Sequence, residues 1–535
     1  MDSQNKKQLA KKARKAFVSG RFNDALVSLT ALVNSEPDSI DWLEKRAIVN
    51  LHLENFSDAL VDIAKVVQQE PSNQSALSNM GVALLKTNNH AHAKEILEFL
   101  LELNPNSYEA NLNLTTLYQY LGMPNEQIKT ALKSVELNPK SATAFNNLAS
   151  AFGDRGMNKE CHEALLIAKK LDPLFPPTLI NLAMLEFRVG NSIGAIEFYE
   201  EIFNLSTISK ETRRFVEYSS SFAYLSVGNL VDGWKYYESG FGSLGGESAS
   251  RSALPFPEPK WRGEDLAGKS LFIIREQGLG DELMFSTCFA DLELLNAEIT
   301  IQCEPRLLSL FSRTYPRLKF IPDTGLKGLF GTSLDTNNFD FLIAIGSLPG
   351  ILRNKFSDFE NSNKYLIPKD QLVEDYRLRM SHYSDKKLIG ICWRSGFLDV
   401  TRNEGYSVLS DWGELFSKPD AVFVNLQYGD CEVELIEAEK KFGIKILRWS
   451  DTDLKNNLEQ VVAIMHNLDA IVSVNSAPFA LGGAAGIKTF LLTPEVWTML
   501  GEKNKFPWYK SVIPITYKVG FEHVLKGLPV VLSMI

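Results

Sequence analysis

Long hydrophobic runs are missing from this sequence. No stretch approaches the roughly 18 uninterrupted apolar residues of a membrane span. The basic N-terminus, MDSQNKKQLAKKARKAF, lacks the apolar run of a secretory signal. Cysteine is scarce: Cys161, Cys288, Cys303, Cys392 and Cys431 lie far apart, with no C-x-x-C pair. That spacing fits reduced thiols rather than a disulfide framework or a zinc site, and a cytoplasmic protein is expected. Positive charge is in deficit, with a net charge of −9, which argues against a general nucleic-acid or membrane-surface binder. At 535 residues the chain exceeds what one core supports, so two or three domains are expected.

What is present is a period. Pro37, Pro71, Pro105, Pro139 and Pro173 follow one another at intervals of 34 residues, the signature of a tetratricopeptide helix–turn–helix. With Pro37 counted as position 32, position 8 holds Ala13, Ala47, Gly81, Thr115, Ala149 and Ala183. Position 20 holds Ala25, Ala59, Ala93, Gln127, Cys161 and Ala195. Small residues let paired helices approach, and proline stops each second helix. Turn-forming residues recur at Gly20, Asn88, Gly122, Gly156 and Gly190. The array is predicted over 1–240, with the strict period slipping after Ser206 and a modified last repeat around Gly228-Asn229.

Position 6 is Asn79, Asn113, Asn147 and Asn181 in four consecutive repeats. Asparagine is a mediocre helix former, so propensity does not explain the recurrence. A primary amide carries a donor and an acceptor, matching the C=O and N–H of an extended peptide. Such a ladder suits a groove that holds a polypeptide backbone; the competing reading is that each Asn bonds a neighbouring helix.

A Gly-, Ser- and Pro-rich connection occupies 241–262. From Ser270 onward, short strands alternate with helical stretches: LFIIRE, EITIQC and FDFLIAIG, then KLIGICW, AVFVNLQ, KILRW, DAIVSV and KTFLLT. Runs of this kind predict parallel sheets in two Rossmann-like lobes, 263–380 and 381–535, with a cleft between them. The fold class is therefore an all-α tetratricopeptide solenoid followed by an α/β pair of lobes.

Ligands of such sheets bind beyond the carboxyl ends of the strands, which selects the residues to weigh. After the first strand comes Glu276-Gln277-Gly278-Leu279-Gly280-Asp281, whose glycines are expected to let the backbone turn tightly beside a ligand. This loop has neither the spacing of a dinucleotide fingerprint nor the Gly-Lys-Ser/Thr of a phosphate loop, so NAD and P-loop readings are poor. Asp281 sits at a helix start, where it either caps the helix or serves as a general base. Trp393 and Arg394 end a second-lobe strand, the arginine suited to a phosphate and the tryptophan to packing at a rim. Gln427 ends another strand. Asn475 and Ser476 precede the small-residue helix APFALGGAAG; they either cap it or leave its N–H groups as a diphosphate seat.

Together these elements resemble a bacterial family that joins tetratricopeptide repeats to a domain like the ADP-heptose heptosyltransferases, the family 9 glycosyltransferases. The resemblance rests on Gly233-Trp234, Tyr237-Glu238, Pro259-Lys260-Trp261-Arg262-Gly263, Leu266-Ala267-Gly268-Lys269, Glu276 to Asp281, Ser347-Leu348-Pro349, Tyr365-Leu366, Leu426-Gln427, SVNSAPFALGGAAG and Pro507-Trp508-Tyr509. It implies a GT-B fold, a nucleotide-sugar held mainly by the second lobe, no required metal and no cofactor beyond that co-substrate. Some relatives modify flagellin, with the repeats selecting the protein. The Asn ladder is similar to that of the eukaryotic O-linked N-acetylglucosamine transferase. The resemblance also implies the base role for Asp281, and donor contacts from Trp393, Arg394, Arg402, Gln427, Asn475 and Ser476. Relatives carry Asp-Thr/Ser and a histidine where this chain has Asn475-Ser476 and Ala480, a departure that implies another donor, other donor-binding residues or lost activity.

The expected activity is inverting transfer of a sugar to Ser or Thr hydroxyls of a protein lying along the asparagine ladder. The alternatives are a non-catalytic scaffold with a vestigial transferase half, and a transferase acting on a glycan. The sugar, the nucleotide, the acceptor and the oligomeric state are not legible.

Overall fold

The computed structural model describes residues 3–206, 208–242, 251, 257–324, 338–360, 365–395, 407–517 and 527–535. The chain divides into two compact units, Met1–Leu185 and Glu186–Ile535.

The first unit is helical: α1 (Ser3–Val18), α2 (Phe22–Ser35), α3 (Ile40–His52), α4 (Phe56–Gln69), α5 (Gln74–Lys86), α6 (His90–Leu103), α7 (Tyr108–Tyr120), α8 (Pro124–Leu137), α9 (Ala142–Asp154) and α10 (Asn158–Leu171), with α11 (Pro176–Arg188) running through the division. These are tetratricopeptide hairpins. Each second helix from α2 to α10 stops two residues before a period proline. The residue preceding that proline is extended, with φ from −145° to −130° at Glu36, Glu70, Asn104, Asn138 and Asp172. Proline's ring forbids the helical conformation to its predecessor, so the period in sequence is a period of helix stops.

The small residues lie where helices touch. Ala25, Ala59, Ala93 and Ala149 are fully buried. A Cβ on Gly81 would fall 2.4 Å from Leu97 Cδ2. Thr115 and Gln127 break the small-residue pattern in one repeat and are paid in hydrogen bonds: Thr115 Oγ1 donates to Asn111 O (2.9 Å), and Gln127 Nε2 to Asp154 Oδ2 (3.0 Å). Between paired helices, Gly20, Glu54, Asn88, Gly122 and Gly156 all hold positive φ. Glu54 occupies the left-handed turn that glycine fills elsewhere.

The second unit opens with α12 (Ser192–Phe203), α13 (Lys210–Ser226) and α14 (Leu230–Tyr237). Lys210 begins its helix 34 residues after Pro176, so the period survives Ser206. It slips inside α13, which has 17 residues where the first helices of the five preceding repeats have 13. One added helical turn moves the left-handed glycine of the turn to Gly228. The aromatic face of α14 enters the α/β core. Trp234 packs edge-on against Trp508 at 6.1 Å and donates from Nε1 to Arg353 O (3.2 Å).

Two parallel sheets follow. The first contains β1 (Ser270–Ile274), β2 (Glu298–Cys303), β3 (Lys319–Pro322) and β4 (Phe341–Ala344), in the order β3-β2-β1-β4. The second contains β5 (Lys387–Cys392), β6 (Ala421–Asn425), β7 (Ile446–Leu447), β8 (Ala470–Val474), β9 (Thr489–Pro494) and β10 (Val512–Tyr517), in the order β10-β9-β8-β5-β6-β7. Both are doubly wound orders that reverse beside their first strand. The edge strands β3 and β10 were not anticipated. β3 is only four residues and half-exposed, and β10 carries Pro514, which an edge strand accommodates because it has no ladder bond to donate on its open side.

Two boundaries move. Pro259–Trp261, expected as connection, pairs with the edge of β4: Trp261 N–H donates to Leu342 O and Leu342 N–H to Pro259 O, each at 2.8 Å. The helix Asp370–Met380, placed with the first lobe, packs on the second. Asn467 Nδ2 donates to Val373 O (3.0 Å), and Tyr376 meets Trp449 at 5.3 Å.

Candidate functional site

The loop after β1 leads into α15 (Leu279–Phe285). Arg275 is gripped by three carboxylates, Glu282 (2.6 Å), Glu304 (2.9 Å) and Asp323 (2.9 Å). Glu276 is buried, accepting from Arg251 Nε and Gly346 N–H at 2.9 Å each. Gln277, not a glycine, takes the left-handed turn (φ 64°), and its amide reaches the Tyr237 hydroxyl. Gly278 (φ −88°) and Gly280 are outside the positive-φ region, so the expectation that these glycines make the turn is corrected. A Cβ on Gly280 would meet nothing within 4 Å. The glycines keep the cleft floor bare.

Asp281 lines the cleft, and its Oδ2 accepts the Gly278 N–H at 3.3 Å. The capping and exposed roles therefore coexist: one oxygen takes a long hydrogen bond while the carboxylate borders the cavity. Its neighbour Glu282 is fully buried. Burial pushes its carboxyl up to about 7, against the pull of Arg275.

On the second lobe, α16 (Glu432–Phe442), α17 (Leu458–Met465) and α18 (Ala477–Ala484) complete the surroundings. Trp393 has no exposed surface and donates from Nε1 to Glu434 (3.1 Å). Arg394 pairs with Glu434 at 2.7 Å. Gln427 is buried and accepts the N–H groups of Trp393 (3.3 Å) and Arg394 (3.0 Å). None of these three borders the interlobe cleft; they stitch β5 to β6 and α16, and Gln427 borders a second cavity, within the second lobe. Arg402 lies outside the described residues. Ser395 and Tyr428, from the same two strand ends, line the cleft in their place.

Asn475 and Ser476 do reach the cleft, at the start of α18. Neither caps that helix. Ser476 Oγ donates to Val474 O (3.2 Å) and makes no capping bond to the first turn. The helix is built of small residues because it lies close to its neighbours: a Cβ on Gly483 would fall 2.5 Å from Tyr509 Cδ2, and one on Gly482 2.6 Å from Thr489 Oγ1. Ala480 is buried in the core, between cleft-lining Phe479 and Leu481.

The cleft encloses about 790 Å³, with α15 and α18 packed together along it. Its charged lining is Arg188, Asp281, Arg306 and Lys455. A second cavity of about 920 Å³ lies within the second lobe, between the ends of β6 and β7, and shares Tyr428, Leu454 and Lys455 with the first. Among the described residues no group of three or more His, Cys, Asp or Glu side chains is arranged to hold a metal.

A further motif passed unnoticed in the sequence: Gly263 to Ser270 has the spacing G-x-x-x-x-G-K-S. A phosphate-binding loop of that spacing leaves a strand and opens a helix. This segment instead enters β1, and Lys269 (3.3 Å) and Ser270 Oγ (2.9 Å) both contact the Asp340 carboxylate. The position meant for an anion holds a carboxylate of the chain itself.

In the first unit, Asn181 Nδ2 donates to Asn146 Oδ1 at 3.0 Å, the neighbouring-helix bond of the competing reading. Asn79, Asn113 and Asn147 are half-buried, and among the described residues their amides make no hydrogen bond. Three rungs of the four-residue ladder are available.

No described helix is long and apolar enough to cross a membrane. A family model described as tetratricopeptide repeat matches residues 74–107. Protein FlbA of Caulobacter vibrioides is 32% identical over 317 residues, which are 57% of this chain and 52% of that protein. The chain spans about half the length of this curated relative. Among solved structures, a tetratricopeptide repeat protein from Parabacteroides merdae has a TM-score of 0.38 at 19% identity, covering 46% of this chain and 95% of its own. The APC/C hetero-tetramer Cut9-Hcn1 has a TM-score of 0.37 at 17% identity, covering 43% and 45%. The chain is thus a tetratricopeptide solenoid followed by an α/β region of two parallel sheets, similar over more than half its length to Protein FlbA.

Proposed function

We infer that this chain is an inverting glycosyltransferase that moves a sugar from a nucleotide-sugar to Ser or Thr hydroxyls of a protein selected by the repeats. The observation that carries the reading is the cleft, where the Asp281 carboxylate and the uncapped start of α18 border one cavity at the carboxyl ends of two parallel sheets. A carboxylate at such a point takes the proton of an attacking hydroxyl, and the helix N–H groups stabilise the charge left on the departing diphosphate. The cavity is of ligand size. The three available asparagine amides suit an extended polypeptide and have no counterpart in a glycan acceptor. Flagellin is one candidate acceptor.

The deciding measurement is the intact mass of a candidate acceptor co-expressed with the wild-type chain and with Asp281→Asn. A hexose-sized increment that disappears in the variant supports the reading; an increment of equal yield removes Asp281 as the base. A scaffold without activity is the second reading, favoured by the engagement of Trp393, Arg394 and Gln427 in the fold. It predicts no increment with either chain.

A further inference from the structure

Lys455 stands where two cavities meet. Among the described residues, the interlobe cleft and the cavity inside the second lobe share Tyr428, Leu454 and Lys455 in their walls. The Lys455 side chain is exposed; among the described residues its ammonium makes no ion pair within 4 Å, though, after the Asn456 hydrogen bonds, its charge helps to lower the Asp453 carboxyl. Its backbone, by contrast, is fixed on both sides: Lys455 N–H donates to Asp453 Oδ1 (3.0 Å), and Lys455 O accepts from Arg306 Nη1 (2.7 Å).

Arg306 reaches across from the first lobe, held by Glu304 at 2.7 Å, and Glu304 is in turn gripped by Arg275 at 2.9 Å. A chain of charge-assisted contacts therefore runs from the loop after β1, beside Asp281, to the backbone of Lys455. Two second-lobe arginines near strand ends are spent on carboxylates: Arg394 on Glu434 (2.7 Å), and Arg448, which lines the second cavity, on Glu432 (2.8 Å) and Glu439 (3.0 Å). Lys455 is left as an ammonium with free reach at a fixed place.

We propose that Lys455 holds the anionic linker of a two-part ligand, the diphosphate of a nucleotide-sugar, with the transferred group in the interlobe cleft and the nucleoside in the adjoining cavity. The assignment rests on the glycosyltransferase reading above. A compact ammonium on a flexible stem engages a diphosphate as a point charge from several directions, which suits a junction between two chambers. Arg306 is the positioning residue: its guanidinium bonds the carbonyl of Lys455 and shares the Glu304 carboxylate with Arg275.

The test is calorimetric titration of the full-length protein with UDP, GDP, ADP and dTDP, and with the matching nucleosides. At least one diphosphate binds the wild type, and Lys455→Ala weakens it by about tenfold or more. Lys455→Arg restores binding to within about threefold, because the charge is retained at similar reach. The matching nucleoside binds all three proteins alike. Arg306→Ala weakens diphosphate binding while leaving nucleoside binding in place, which a merely structural defect of the second lobe does not produce. A folded Lys455→Ala protein that binds the diphosphate like the wild type overturns the assignment alone. So does an equal loss for nucleoside and diphosphate, since Lys455 then shapes the cavity rather than meeting a charge. Failure of all four diphosphates to bind the wild type overturns the nucleotide-sugar reading, and the assignment with it.

Discussion

Asp281 accepts the Gly278 N–H at 3.3 Å while its carboxylate borders the cleft. An asparagine amide oxygen replaces the carboxylate in that hydrogen bond but takes no proton. Asp281→Asn is therefore expected to shift the unfolding free energy by less than about 1 kcal/mol, within the range of a single cap. Transfer activity is expected to fall by at least about a hundredfold, the lower end for a lost general base. Thermal unfolding and the acceptor mass increment, measured on one preparation, check both halves.

Gly280 has open space where a side chain would go and an ordinary backbone conformation. Gly280→Ala is expected to leave stability unchanged or raise it by up to about 1 kcal/mol, since alanine loses less entropy in a helix. Gly280→Phe fills the cleft floor and is expected to abolish nucleotide-sugar binding at an unchanged melting temperature. Titration and differential scanning calorimetry on the pair check this.

Glu54 holds φ 60° at the turn where four other repeat turns carry glycine, at Gly20, Gly122, Gly156 and Gly190. Glu54→Gly relieves a left-handed side-chain residue and is expected to stabilise the array by about 1 kcal/mol, the strain relieved less the added chain entropy. Gly122→Ala, at a site with nothing within 4 Å, is expected to cost about the same through backbone strain alone. Urea unfolding midpoints give both signs.

Glu282 titrates near 7 when folded because burial opposes its charge, above the ordinary value of 4.5. The folded state thus binds a proton more tightly than the unfolded state. The stability this group contributes is fully present below about 4.5 and declines as pH rises through 7. Glu282→Gln, a neutral isostere, is expected to be more destabilising relative to wild type at pH 5 than at pH 8. Urea titrations of the two proteins at both pH values check the direction.

Among the described residues the Asn113 and Asn147 amides make no hydrogen bond, whereas Asn181 is bonded to Asn146. The double substitution of Asn113 and Asn147 by Ala is expected to weaken acceptor binding severalfold and leave nucleotide binding intact. Asn181→Ala is expected to cost about 1 kcal/mol of stability, the worth of one hydrogen bond, with a smaller effect on the acceptor. Acceptor pull-down beside nucleotide titration separates the two outcomes.

The helical repeats and most of the strands were legible because their signals are local. A proline acts on its own φ and on its predecessor, and a small residue at fixed spacing meets its partner helix in the same repeat, so Pro37 to Pro173 and Ala25 to Ala195 mark the array directly. The strand ends that line the cleft followed from the parallel pattern: Asp281, Asn475 and Ser476 were placed there by the rule that ligands meet the carboxyl ends. β3 and β10 were missed because edge strands bury little and carry weak patterns. The slip of the period was assigned to Ser206 because α13 simply lengthens by a turn, which leaves no break in the text.

Which polar side chains face the cleft was decided only by tertiary structure. Trp393, Arg394 and Gln427 follow strands as suggestively as Ser395 and Tyr428 do, but Glu434, forty-one residues beyond Trp393, turns the first two inward, and Gln427 bonds their backbone. Gly263 to Ser270 matches a phosphate-loop spacing until Asp340, seventy residues later, fills the place. Backbone preference acts over a few residues and is written in the local text. The partner that neutralises a charge is chosen by the packing of distant elements, and no local pattern records that choice.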